Sequence, residues 1–211
     1  MPLVTDTAAG ASEPEAVRKA TDGELPGLAS VLARAFCEDP VFSWLLPDGR
    51  GRLEIEERLF GLWLRRLFFR QGESYTTDRL AGTAIWQLPA QWRVGALEQL
   101  RLLPAMVQIL GRRTPHVVRA LTLLESHHPE TPHYYLALLG VAPEWQGRGI
   151  GSALLGPVLG RCDSDRLGAY LEASSPRNRA LYERYGFEVT NEVRAARDAP
   201  PWWCMWREPG G

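Results

Sequence analysis

Residues 144–156 read EWQGRGIGSALLG, and the interpretation of the whole chain starts from them. Glycines stand at every second position from 147 to 151, Arg148 lies between the first two, and an apolar run resembling a helix follows. The preceding segment, HYYLALLGV at 133–141, is typical of a strand buried on both faces. Such a strand, loop and helix present free backbone N–H groups at the positive end of a helix dipole. The pattern predicts a phosphate site, suited to a nucleoside triphosphate, a dinucleotide or the pyrophosphate of coenzyme A.

The details of the loop separate these three ligands. A nucleoside triphosphate loop needs a Gly-Lys pair followed by Ser or Thr, and this loop has no lysine. A dinucleotide loop needs the spacing GxGxxG, and GRGIGS places Ser152 where the third glycine or an alanine is required. Glu172 stands about 20 residues further on, where a ribose-binding acid would lie, and it keeps the dinucleotide as an alternative.

Length and composition limit the class of protein. The 211 residues suit one domain with a substantial core. A formal net charge of −1 provides no general basic surface for phosphates, so nucleic acid is disfavoured as a partner. No segment approaches the roughly 20 apolar residues of a membrane span. Because Cys37, Cys162 and Cys204 lie far apart, we expect no metal site and we expect the thiols to be buried and reduced. Reduced thiols and the lack of an apolar span predict a cytoplasmic location without a membrane partner.

Turn residues and hydrophobic spacing predict an α/β (α+β) domain with a mixed sheet. Residues 1–13 are expected to form a flexible tail and 14–211 a single domain. The first half is predicted to contain a short strand, a helix capped by Asp22, a long helix and two strands. An interrupted helical region follows, with boundaries at Pro104 and Pro115.

The second half is predicted to alternate strands and helices. After the strand, loop and helix described above, GAYLEAS at 168–174 is a second buried strand. Ser175 and Pro176 form an N-cap and first-turn pair that opens a helix, which Gly186 ends. FEVTNEV and WWCMWRE then form an antiparallel pair.

Two motifs resemble a known family. Gln146-Gly-Arg-Gly149-Ile-Gly151 is similar to the Q/R-x-x-G-x-G/A signature of the GNAT superfamily of N-acetyltransferases. SPRNRALYERYGFEV resembles its second hallmark, an Asn, a Tyr and the Gly-Phe pair that begins the next strand. Over roughly residues 132–206 the resemblance is closest to the group of puromycin N-acetyltransferase and its relatives. It implies a GNAT fold, with a central mixed, mostly antiparallel sheet flanked by helices.

The resemblance also divides the chain by function. Acetyl-CoA belongs to the C-terminal half, about 132–206, and the acceptor to the N-terminal half. The glycines would let the backbone approach the pyrophosphate, although a tight turn without a ligand is the alternative. The strand before the loop would part from its neighbour, pair with the pantetheine arm and aim an N–H at the thioester carbonyl. The implied cofactor-binding residues are Leu139, Gly140, Val141, Gln146, Gly147, Arg148, Gly149, Ile150, Gly151, Ser152, Asn178 and Tyr182.

Acetyl transfer needs an acid and a base. Asn178 and Tyr182 share one helix face, and the resemblance makes Tyr182 the general acid, with Tyr185 as a rival by spacing. The acceptor ammonium must lose a proton before it attacks, directly or through water. Since HYYLALLGV carries no acidic residue, Glu172 is the candidate base or amine ligand, with a structural carboxylate as the alternative.

Other polar and aromatic residues are weaker candidates. Glu38, Asp39, His127 and His128 are expected to be mainly solvated. Most aromatic residues are expected in the core, and one or two to stack on the acceptor. These are Phe36, Phe42, Trp44, Trp63, Trp86, Trp202 and Trp203.

Together these features predict an acetyl-CoA-dependent N-acetyltransferase. A primary amine of a small molecule would attack the thioester directly in a ternary complex, because no Cys or Ser lies in a recognisable nucleophile motif. An aminonucleoside antibiotic such as puromycin is the leading acceptor, with antibiotic resistance as the role. The alternatives are a metabolic amine, a protein amino group, or a non-catalytic acyl-CoA-binding or sensing module. A monomer or homodimer is expected.

Overall fold

A seven-stranded sheet organises the computed structural model, which describes residues 15–46, 51–69 and 72–210. Its strand order is β1-β2-β3-β4-β5-β7-β6. Every neighbouring pair is antiparallel except β4 and β5, which are parallel. The predicted mixed, mostly antiparallel sheet is therefore confirmed. The strands are β1 Val17–Lys19, β2 Gly72–Thr77, β3 Gly82–Gln87, β4 His133–Val141, β5 Gly168–Ala173, β6 Glu188–Val193 and β7 Trp202–Arg207.

Seven α-helices lie in the described part of the chain. They are α1 Leu25–Phe36, α2 Pro40–Leu45, α3 Arg52–Trp63, α4 Ala96–Leu110, α5 Thr114–Ser126, α6 Ile150–Asp165 and α7 Pro176–Glu183. A π-helical segment, Leu64–Phe68, continues α3. The predicted flexible tail at 1–13 lies outside the described residues. No described helix is long and apolar enough to cross a membrane.

Two local predictions are wrong. Asp22 does not cap α1; it lies in a 3₁₀ turn before α1, and that turn is held by Glu24, whose carboxylate accepts from the backbone N–H of Thr21 at 2.8 Å. Pro104 does not end α4, which runs through it until Gly111 takes a positive φ of 54°. Pro115, by contrast, lies in the first turn of α5, as expected for a helix boundary.

The two main clusters of the core lie on opposite faces of the sheet. Along β3, Ile85 packs with α1 to α5, whereas Ala84 and Trp86 pack with α6. Along β4, Leu136 faces α6 but Leu138 faces the N-terminal helices. Leu136 and Leu138 are two positions apart and would share one face of a regular strand. They face opposite sides because the register with β3 shifts between Ile85 and Trp86. This bulge places Ala137 as the extra residue and redirects the rest of β4.

The C-terminal strands close the sheet. Arg207 on β7 donates to both carboxylate oxygens of Asp163 on α6, at 2.7 and 3.0 Å. Gly168, at the start of β5, lies against the indole of Trp206, and a Cβ at position 168 would overlap that ring. The cysteines are unpaired; Cys162 and Cys204 are buried and Cys37 is partly exposed.

We expect Gly168→Ala to lower the free energy of unfolding by about 1–3 kcal/mol, because the methyl group overpacks the Trp206 ring. Gly160→Ala is the matched control, since a Cβ there has no neighbour within 4 Å and α6 gains a better helix former. Urea denaturation of both variants measures the difference. Equal stability of Gly168→Ala and the wild type would contradict this packing.

Candidate active site

The two parallel strands pair only over their first four residues. The ladder between β4 and β5 runs from His133 opposite Gly168 to Leu136 opposite Leu171 and stops there. Beyond that point residues 138–141 continue to pair with β3 alone, after the bulge at Ala137. Alternate N–H and C=O groups of this segment therefore face the gap that β5 has left. Leu139, Gly140 and Val141 lie in this segment.

The glycine loop follows directly from the end of β4. Gly147 and Gly149 have φ angles of 77° and 79°, in the left-handed region that favours glycine. A Cβ on either would meet no atom within 4 Å, so the loop backbone is open on that side. Gly149 is also the N-cap of α6, and it has no side chain to accept hydrogen bonds from the first turn. The N–H groups of that turn, which includes Ile150, Gly151 and Ser152, are therefore free. Arg148 lies over the ring of Trp145, with its guanidinium carbon 4.8 Å from the centroid.

Gln146 connects three elements of the site. Its Nε2 donates to the carbonyl oxygen of Val141 at 3.1 Å, and its Oε1 accepts from Nη1 of Arg177 at 2.9 Å. The side chain thus ties the end of β4 and the loop to the start of α7. Sequence reasoning gave Gln146 only a cofactor-binding role, and this bracing contact depends on the distant Arg177.

Helix α7 is positioned by its first residues. Ser175 accepts a hydrogen bond from the Asn178 N–H at 3.2 Å, with Pro176 as the first helical residue, so the predicted N-cap is confirmed. Asn178 and Tyr182 both line a cavity beside the parted strands. Burial, together with the nearby charge of Asp39, raises the pKa of Tyr182 above its ordinary value. The phenol therefore stays protonated at neutral pH and can donate a proton.

This cavity has a volume of about 560 Å³ and extends from the parted strands into the N-terminal helices. Its polar lining includes Glu172, His128 and Tyr135. Of the predicted aromatic residues, Phe36, Phe42, Trp63 and Trp202 line it, while Trp44, Trp86 and Trp203 do not. Phe68 and Trp92 also line it, and sequence reasoning missed them because no local pattern distinguishes them from core residues.

Glu172 is buried in the cavity wall. Its side chain is 8% exposed and accepts a hydrogen bond from the Tyr135 hydroxyl at 3.0 Å. Nδ1 of His128 lies 3.7 Å from the other carboxylate oxygen, and the His128 side chain is only 3% exposed. The expectation that His128 is mainly solvated is therefore wrong, because the segment after α5 folds its ring between Trp92 and the sheet.

Asp39 also differs from the expectation of a solvated side chain. It is 8% exposed and caps α2, with Oδ1 accepting from the Val41 and Phe42 N–H groups at 2.9 and 3.2 Å. Its Oδ2 accepts from the hydroxyl of Ser174, which follows β5 and lines the cavity. Burial raises the pKa of Asp39 despite these hydrogen bonds. This contact joins the N-terminal helices to the end of β5.

Comparison with known families agrees with this arrangement. The model of the Acetyltransferase (GNAT) family matches residues 73–187, which include the parted strands, the glycine loop and α7. The chain belongs to the GNAT acetyltransferase family. This confirms the predicted family and its fold, whereas the likeness to the puromycin group stays a prediction.

Individual relatives of this GNAT protein agree with the assignment. An uncharacterized N-acetyltransferase of Schizosaccharomyces pombe is 37% identical over 78 residues, which are 36% of this chain and 32% of that protein. The chain spans about a third or less of the curated relatives it matches. A solved Corynebacterium glutamicum structure, described as histone acetyltransferase HPA2 and related acetyltransferase, is 27% identical. That match covers 94% of this chain and 98% of the other, with a TM-score of 0.72.

A second solved structure shows the fold alone. The polyamine N-acetyltransferase of Drosophila melanogaster is 16% identical, with 92% of this chain and 99% of that chain covered and a TM-score of 0.57. The fold is therefore shared at a level of identity too low to transfer a substrate.

The raised pKa of Asp39 predicts a pH-dependent stability. Because the folded state favours the protonated acid, the stability from this group is present in full below the ordinary pKa of an Asp, about 4, and is lost as pH rises through the raised value. Asp39→Asn keeps an acceptor for the α2 cap and has no charge to desolvate. We therefore expect this variant to gain stability relative to the wild type between about pH 4 and neutral pH.

Urea unfolding at a series of pH values measures this difference. Glu38→Gln is the control, since Glu38 is an exposed neighbour in the same turn. Parallel pH curves for Asp39→Asn and the wild type would show that Asp39 is not the group responsible.

Proposed function

We propose that this GNAT-family chain is an acetyl-CoA-dependent N-acetyltransferase that acetylates the primary amine of a small, largely apolar molecule. One observation carries the proposal: β4 lines an apolar cavity with a buried carboxylate where it parts from β5, and the same strand then leads to the open glycine loop. The loop suits a phosphate-bearing ligand, and the cavity suits an organic one. A reaction between the two ligands would take place where they meet, beside Tyr182.

The residues around the gap fit acetyl-CoA. The loop backbone over Gly147 and Gly149 is open, and the first turn of α6 carries free N–H groups and no acidic side chain. In the proposal, residues 147–152 hold the pyrophosphate, and Leu139, Gly140 and Val141 pair with the pantetheine arm. Gln146 fixes the loop, and Asn178 lies beside the arm. Acetyl-CoA supplies an activated acetyl thioester, and a β4 N–H directed into the gap would stabilise charge on its carbonyl oxygen.

In the proposed reaction, Glu172 on β5 is the base and Tyr182 on α7 is the acid, and both line the cavity. Glu172 accepts a proton from the acceptor ammonium, and the freed amine nitrogen attacks the thioester carbonyl carbon. Tyr182, which its raised pKa keeps protonated at neutral pH, donates its proton to the sulfur as the C–S bond breaks, and the nitrogen of the new amide releases its second proton, which restores the phenol. In this scheme the acetyl group passes directly to the amine, without a covalent intermediate on the protein.

The lining of the cavity supports an acceptor with an apolar body and one ammonium group. Phe36, Trp63, Phe68 and Met106 surround a space that ends at the single buried carboxylate of Glu172 among the described lining residues. An aromatic or aliphatic body would fill this space, while one ammonium group faces Glu172. A second ammonium at the apolar end would lose its hydration without a partner. An aminonucleoside antibiotic such as puromycin has the required shape and charge, and its inactivation is the proposed role.

Thiol release from acetyl-CoA, with mass spectrometry of the products, tests the acceptor class. We expect puromycin and tryptamine to be acetylated with kcat/KM values about 100-fold above those of putrescine or spermidine. The reason is that burying a second ammonium group without a partner in the apolar end of the cavity costs about 3 kcal/mol. A preference for spermidine would contradict the proposed acceptor class. Tight binding of acetyl-CoA with no turnover on any amine would instead support an acyl-CoA-binding or sensing module.

Tyr182→Phe tests the general acid. The variant keeps the ring but has no proton to donate, so we expect kcat to fall by about 100-fold or more while the Kd for acetyl-CoA changes less than about twofold. Tyr185→Phe is the matched control, since Tyr185 lies in the turn that follows α7, outside the cavity lining, and should retain wild-type kcat. Equal losses in kcat and acetyl-CoA affinity for Tyr182→Phe would remove Tyr182 from this role.

A further inference from the structure

Two histidines beside Glu172 form a hydrogen-bonded pair, of which His128 lines the cavity and His133 does not. Nδ1 of His133 lies 2.6 Å from the carbonyl oxygen of Thr131, and its Nε2 lies 3.0 Å from Nε2 of His128. Nδ1 of His128 then lies 3.7 Å from Glu172. The chain therefore runs from the backbone at Thr131 through both rings to the candidate base.

These contacts fix the tautomer of His128. A carbonyl oxygen only accepts, so Nδ1 of His133 carries the hydrogen. Burial lowers the pKa of His133, which keeps the ring neutral and leaves Nε2 as an acceptor. Nε2 of His128 must then donate to it. The remaining nitrogen of a neutral His128, Nδ1, carries a lone pair on the side of Glu172.

We propose that Glu172 and His128 act as a proton-accepting pair, in which Nδ1 of His128 takes up the proton that Glu172 removes from the acceptor ammonium, with His133 as the positioning residue. This inference rests on the proposed acetyltransferase activity. The ammonium N–H bond breaks and an O–H bond forms on Glu172; that O–H bond then breaks as an N–H bond forms on His128. The result is a free amine, a carboxylate and an imidazolium. The 3.7 Å separation has to shorten, or be bridged by one water, for the second transfer.

The surroundings of His128 suit an imidazolium. The ring stacks on Trp92 with centroids 3.6 Å apart and planes at 27°, an arrangement in which the indole face attracts a cation. Arg93 lies over the same indole at 5.1 Å and is paired with Glu130, which reduces its repulsion of a charged His128. After transfer, the imidazolium would face the regenerated carboxylate of Glu172.

A shared proton explains why a buried carboxylate can serve as the base. Transfer of the proton to His128 regenerates the Glu172 carboxylate, which can then stay paired with the imidazolium. The titratable groups facing His128 are Glu172 and Tyr170 on β5 and His133 and Tyr135 on β4. Glu125 on α5 lines the same cavity. Burial raises the pKa of both tyrosines, so neither competes for the proton at neutral pH.

The test compares His128→Phe with the wild type on the best acceptor found. The phenyl ring preserves stacking on Trp92 and removes the proton acceptor. We expect kcat/KM at pH 7 to fall by about 100-fold, with the Kd for acetyl-CoA unchanged within about twofold. The loss should shrink as pH rises, because more of the acceptor then arrives as free amine. A fluorinated ethylamine, already unprotonated at neutral pH, should be acetylated equally well by the variant and the wild type.

Two further variants separate a proton-accepting role from a structural one. His133→Phe removes the group that fixes the His128 tautomer and should cause a smaller loss with the same pH trend. His127→Phe is the control, because His127 is exposed and bonds only to its own helix end. A loss for His128→Phe that is equal at all pH values and for both amines overturns the proposal, as does wild-type activity of the variant. Absence of turnover by the wild-type protein overturns the proposed function itself.

Discussion

The end of the hydrogen-bond ladder between β4 and β5, after Leu136 and Leu171, is the feature on which the rest of the site depends. A continuous parallel pair would fill the centre of the sheet and leave no room for a ligand. The bulge at Ala137 occurs at the same level and turns Leu138 toward the N-terminal helices. Strand separation and side-chain reorientation therefore coincide, so the gap opens directly into the apolar cavity.

Two bridges between distant segments lie beside this gap. Gln146 ties the end of β4 to Arg177 on α7, and the Asp39 carboxylate holds both the α2 cap and Ser174 beyond β5. Both bridges join residues on opposite sides of the gap. Burial of the Asp39 carboxylate costs desolvation energy. The contact therefore positions α2 and the end of β5 at some expense of folding stability.

The chemistry of the cavity follows from how burial acts on different groups. For Tyr182, burial favours the neutral phenol and preserves a proton donor. For His133, burial favours the neutral imidazole, and the Thr131 carbonyl then selects its tautomer. The His133 tautomer in turn sets the tautomer of His128, whose Nδ1 lies near Glu172. In the proposed pair, the Thr131 carbonyl therefore influences where the proton from the acceptor goes.

The sequence by itself determined the local structure: the glycine loop at 147–151, the Ser175 cap, and the strands and helices of the C-terminal half. These features depend on backbone sterics and on neighbours within a few residues, which a linear pattern records. Only the tertiary structure decided that His128 and Asp39 are buried, that Trp92 and Phe68 line the cavity, and that Gln146 braces α7. The physical reason is that burial and partner choice depend on packing between segments far apart in sequence, which no local periodicity encodes.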